Sequence, residues 1–116
     1  MSELVSYAVQ DGIAVVAVQN PPVNALGPGV PQGLSDAMAK AEADASVRAI
    51  VIMGGGKTFI AGADIKELEA AAKNPQNGGP DIHPLLTRVE NSSKPVVIAM
   101  HGTALGGGLE LAMAGH

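Results

Sequence analysis

Two short apolar runs, residues 49–53 (AIVIM) and 95–100 (PVVIAM), each give way to glycine-bearing turns, and no other feature limits the fold so strongly. An unbroken run of small and branched aliphatic residues bounded by turn residues is what a strand buried on both faces of a parallel sheet requires. Parallel strands cannot be joined by tight turns, so helices are expected between them. Over residues 30–44, Leu34, Met38, Ala41 and then Ala45 recur at three- or four-residue spacing, while Asp36, Lys40, Glu42 and Asp44 take the other positions. That is the period of an amphipathic helix. Further helices are expected over 65–73 and 84–91, and the glycine-rich stretch 102–115 (GTALGGGLELAMAG) should run from a turn into a helix.

Ahead of these elements, residues 4–10 and 13–19 are rich in β-branched side chains and flank Asp11-Gly12. That dipeptide supplies the positive φ angles of a tight hairpin turn, so the two runs should pair antiparallel. The loop NPPVNAL, 20–26, follows; its two prolines remove amide donors and favour an ordered, extended path. Residues 71–81 (AAKNPQNGGPD) are expected as a mobile surface loop. The order of elements indicates an α/β fold, with an opening β-hairpin and parallel strands joined by right-handed helical crossovers. No internal repeat or second domain is evident.

Composition narrows the function classes. With 47% hydrophobic and 16% charged residues, the 116-residue chain fits one globular domain or a piece of one. Fifteen Gly and eight Pro favour sites built from main-chain groups. A net charge of −4 with only seven Lys and Arg argues against nucleic-acid binding. The absence of Cys excludes disulfides, thiolate catalysis and Cys-based zinc sites. The start, MSELVSYAVQDG, has neither the basic region nor the apolar core of a signal peptide, which points to the cytoplasm. Residues 95–115 have the roughly 20-residue length of a membrane span, but His101, Glu110 and five glycines argue against one.

Several motifs are incomplete. GGGKTF resembles a P-loop, yet Val51 stands where the first glycine belongs. Neither glycine cluster completes G-x-G-x-x-G, because Phe59 or Leu111 occupies the last place. His83, His101 and His116 lack the spacing of helical metal pairs, so no metal site is expected. No serine lies in a nucleophile elbow.

What remains is FIAGADIKE, 59–67, and HGTALGGGLEL, 101–111. Each sets a glycine-bearing turn between an apolar strand and a helix, where the first amides have no intrahelical partner and the helix dipole is positive. Two such turns on neighbouring parallel strands can aim one amide each at a single oxygen, the requirement of an oxyanion hole. Glu110 is the only acidic residue between Val96 and His116, and Leu109, Leu111, Ala112 and Met113 flank it. Its carboxylate is therefore expected to be desolvated, which raises a carboxyl pKa towards the range useful for proton exchange. A glutamate that merely satisfies amides at a helix start fits the same residues.

The succession NPPVNAL, GKTFIAGADIKEL and KPVVIAMHGTALGGGLELAMAGH resembles the crotonase (enoyl-CoA hydratase/isomerase) superfamily over almost the whole chain. It is most similar to the hydratase/isomerase domain that opens bifunctional enoyl-CoA hydratase/3-hydroxyacyl-CoA dehydrogenases. The resemblance implies a crotonase-like ββα superhelix, with residues 1–116 as the N-terminal part of one domain that stops before the family's second catalytic acid. It implies fatty-acid β-oxidation chemistry: the amides of Ala63 and Gly107 hold the thioester oxygen, and Glu110 is a general acid/base. Val23, Ala61, Ala63, Asp64, Ile65, Lys66 and Gly107 would contact the CoA ester. No separate cofactor is implied, since CoA arrives with the substrate, and NAD enters only if a dehydrogenase domain follows. The implied partners are acyl-CoA or enoyl-CoA and further copies of the chain in a trimer or hexamer, with neither nucleic acid nor membrane. Each residue also has a packing role open to it: Ala61 and Ala63 allow close approach, Gly106–Gly108 a tight turn, Asp64 a helix cap. The competing functions are a non-catalytic acyl-CoA-binding module, an assembly fragment, and other crotonase reactions such as dehalogenation or thioester hydrolysis.

Overall fold

The computed structural model of the chain describes residues 4–21, 24–27, 29–56, 58–60, 82–104 and 107–116. Strands β1 (Val5–Gln10) and β2 (Ile13–Val18) pair antiparallel, with Val5 opposite Val18 and Gln10 opposite Ile13. Asp11 at φ 54° and Gly12 at φ 81° provide the two positive angles that a two-residue I′ turn demands. Arg48 closes over this turn, its Nη2 donating to Asp11 O at 3.1 Å and its backbone amide to Gly12 O at 2.7 Å. β2 pairs parallel with β3 (Ala49–Gly54), and β3 pairs parallel with β4 (Val96–Ala99), giving the order β1-β2-β3-β4.

Helix α1 (Val30–Ala43) connects β2 to β3. Gly29 leads into it at φ 89°, and Pro31 sits in the first turn, where its missing N–H leaves no helical bond unmade. Val30, Leu34, Ala37, Met38 and Ala41 are wholly buried, the stripe expected from their spacing. At the other end Lys94 Nζ donates to Ala41 O (2.7 Å) and Asp44 O (2.6 Å), so a cation satisfies carbonyls left over by the last turn. Asp44 Oδ1 accepts from Ser46 Oγ (2.7 Å) and Ser46 N (2.9 Å); these bonds, then Lys94 and Lys40, hold its carboxyl below the usual range. Lys40 Nζ lies 4.7 Å from the centre of the Tyr7 ring. The Tyr7 hydroxyl is buried with no hydrogen-bond partner among the described residues; burial, and then the charge of Asp44, push its pKa up.

Helix α2 (His83–Glu90) buries Leu85 and Val89, and its Arg88 meets Glu42 of α1 at 3.1 Å. Helix α3 (Gly107–Ala114) follows β4. His116 ties the end of the chain back: its amide donates to Val96 O (2.8 Å), its Nδ1 accepts from Val96 N (3.1 Å), and its Nε2 reaches Glu90 O (3.0 Å). Because a carbonyl only accepts, the ring proton resides on Nε2. The core is aliphatic apart from Phe59: Val16, Val18, Leu34, Met38, Ile50, Ile52, Phe59, Ile60, Val96 and Leu111 are all fully buried.

One expectation of burial needs correction. β3 alternates half-buried and buried positions, and β4 exposes Val97 to 53%, so neither run is a strand buried on both faces. An unbroken apolar run makes both faces of a strand apolar; whether both are covered depends on what packs there. Within 95–115 the chain forms two separate elements, β4 and α3, and among the described residues no helix is long and apolar enough to cross a membrane. The helix expected over 65–73 and the loop expected over 71–81 lie outside the described residues.

Candidate functional site

Because β2, β3 and β4 run parallel, the loops that leave them all emerge at one end of the sheet. These are the stretches that begin after Val18, Gly54 and Ala99, and they contain the three sequence motifs. Asn24 joins the first loop to the second. It is 3% exposed, stands at φ 53°, a left-handed conformation that asparagine tolerates, and uses its side chain in both directions. Its Oδ1 accepts from Asn20 N at 2.9 Å, while Nδ2 donates to Gly55 O at 2.9 Å and Thr58 O at 2.8 Å. Gly54 lies beneath this network: a Cβ there would meet Thr58 O, and Asn24 Nδ2 at 2.9 Å.

The second loop is bound to the third in turn. Phe59 N donates to His101 O at 2.7 Å, and His101 Nε2 donates to Gly56 O at 3.0 Å. Thr58 Oγ1 donates to Thr103 O at 3.0 Å and accepts from Thr103 N at 2.8 Å. Phe59 and Ile60, next in the second loop, are fully buried. Gly108, in the first turn of α3, packs directly on Ile60: a Cβ at Gly108 would collide with Ile60 O and lie 2.7 Å from Ile60 Cβ. The segment that enters FIAGAD and the start of the helix following LGGG are therefore in contact through a position where only glycine fits.

Of the candidate site residues, Gly107 opens α3 and Glu110 lies in its first turn. Glu110 is exposed, which corrects the expectation of a desolvated carboxylate. The cause is helical phase. Gly108 and Leu111 are buried, whereas Leu109, Glu110 and Met113 lie on the opposite side, with Leu109 at 45% and Met113 at 77% exposure. Leu111 turns into the core, and Leu109 and Met113 share the exposed face without covering the Glu110 carboxylate. Its place in the first turn is favourable for a carboxylate beside the positive end of the helix. Val23, Ala61, Ala63, Asp64, Ile65 and Lys66 lie outside the described residues. Among the described residues no three His, Asp or Glu are grouped to hold a metal ion.

Sequence reasoning overlooked Asn24, Thr58 and Thr103, and weighed His101 only as a metal ligand or membrane residue. Asn24 carried a faint signal, as an asparagine in a proline-rich loop where left-handed backbone is common. Thr58 carried none, since its partner is 45 residues away.

The family model described as enoyl-CoA hydratase/isomerase matches residues 8–115. A probable enoyl-CoA hydratase of Bacillus subtilis is 45% identical over 114 residues, covering 97% of this chain and 44% of the relative. A peroxisomal bifunctional enzyme of Danio rerio is 43% identical over 108 residues, covering 93% of this chain and 14% of that protein. The crystal structure of an enoyl-CoA hydratase from a Polaromonas species superposes with a TM-score of 0.88 at 28% identity, over 96% of this chain and 45% of that one. The chain thus spans less than half the length of these relatives.

Proposed function

Since the chain belongs to the enoyl-CoA hydratase/isomerase family, we propose that it forms part of an enzyme of fatty-acid β-oxidation that binds an enoyl-CoA thioester and polarises its carbonyl. The thioester oxygen accepts from the amides of Ala63 and Gly107, each such donor contributing about 3–4 kcal/mol to the developing negative charge. Glu110 acts as general acid/base, positioning water for addition across the 2-enoyl double bond with a second carboxylate from elsewhere in the protein. The CoA portion contacts Val23, Ala61, Asp64, Ile65 and Lys66. The domain extends past these 116 residues, and the protein works in the cytoplasm as a homo-oligomer.

The observation that supports this reading is the packing of Gly108 against Ile60, which brings the start of α3 against the end of the described β3 exit, one residue before Ala61. The exposure of Glu110 favours a second reading, a module that binds acyl-CoA without moving a proton. One experiment separates them. In the full-length gene product, Glu110→Gln is expected to lower hydration of a 2-enoyl-CoA by roughly 10²–10⁴-fold, the usual contribution of general acid/base catalysis, while CoA-ester affinity holds. Unchanged turnover in the variant removes Glu110 from the chemistry; binding without any turnover in the parent favours the module.

A further inference from the structure

We propose that Thr58 is a positioning residue whose hydroxyl sets the spacing between the exit of β3 and the start of α3, where Gly107 is assigned to the thioester oxygen. The proposal rests on the enzyme reading above but is tested separately from it. Thr58 bonds to both neighbouring loops at once. Its carbonyl accepts from Asn24 Nδ2 (2.8 Å), and its hydroxyl both donates to Thr103 O (3.0 Å) and accepts from Thr103 N (2.8 Å). The backbone bond from Phe59 N to His101 O (2.7 Å) fixes the adjacent pair, so the two strand exits are held at successive points. Two residues past Thr58 the chain reaches Ile60, against which Gly108 is packed without room for a methyl group. A shift at Thr58 must therefore pass to the start of α3, where Gly107 lies.

The threonine pair lies at the surface, where water can replace a lost hydrogen bond. Its net worth to folding is accordingly small. Its value lies in geometry, because the reciprocal pair defines both the distance and the register of the two loops. Serine preserves both bonds. Valine keeps the branched shape and removes them, leaving the bond from Asn24 to the Thr58 carbonyl in place.

The test compares Thr58→Val and Thr58→Ser in the full-length gene product by enoyl-CoA hydration kinetics, thermal midpoint and the ¹H–¹⁵N shift of the Gly107 amide. Thr58→Val is expected to reduce kcat roughly ten- to a hundredfold, the range for misplacement from a site remote from the chemistry. KM should stay near the parent value, the Gly107 amide should move, and Thr58→Ser should restore both readouts. Parental kcat with an unmoved Gly107 amide overturns the proposal, as does a lowered midpoint with kcat unchanged. If the parent protein hydrates no enoyl thioester, the enzyme reading fails. The Gly107 shift and its rescue by serine then still decide whether Thr58 positions the helix start.

Discussion

Tyr7 presents two surfaces with opposite energetic signs. Its ring receives the Lys40 ammonium at 4.7 Å, an attraction worth about 0.5–1 kcal/mol at exposed sites. Its hydroxyl is buried and unpaired among the described residues, a state that costs roughly 1–3 kcal/mol. Tyr7→Phe keeps the first and removes the second, so urea denaturation should find the variant as stable as the parent or up to about 1 kcal/mol more stable. A lower stability would mean that the hydroxyl is satisfied after all. The sign of the pH dependence follows. Folding holds the phenol protonated above its ordinary value of 10.0, so stability present below pH 10 declines as pH rises through the raised folded value. Tyr7→Phe should flatten that alkaline decline.

At the scale of elements, the contact between α3 and the end of the β3 exit leaves no room for a side chain at Gly108. Gly108→Ala forces a methyl group into Ile60 O, and overpacking of this kind typically costs about 1–3 kcal/mol. A urea midpoint lowered by that amount, with crotonyl-type turnover lost in the full-length product, is the expected result; an unchanged midpoint would show that the contact gives way freely. The hairpin, α1, α2 and the four strands among the described residues were legible from period and turn residues, because those signals are local. Asp11-Gly12 needs only its own φ angles, and Leu34 and Met38 only their spacing. The bonds of Thr58 to Thr103 and of Asn24 to Gly55 were not legible, since the partners lie 45 and 31 residues apart. The exposure of Glu110 was not legible for a related reason: Leu111 turns into the core, and Leu109 and Met113 share the exposed face of Glu110 without covering it.

Across the whole molecule, apolar surface is left open on the late elements. Val97 (53% exposed), Met100 (57%), Leu109 (45%) and Met113 (77%) lie in or beside β4 and α3, and Leu109 and Met113 share one stripe at i, i+4 spacing. Exposed apolar patches promote association. The 116-residue chain alone is therefore expected to scatter light in a concentration-dependent way, and Leu109→Gln with Met113→Gln should reduce it; a monodisperse parent chain would contradict this. Three parallel strands discharge their loops at the same pole, while strand pairing is decided along residues 13–18, 49–54 and 96–99. Architecture and chemistry are thereby assigned to separate stretches of chain. Substitutions that retune what the protein recognises can accumulate in the loops while the pleated scaffold keeps its register.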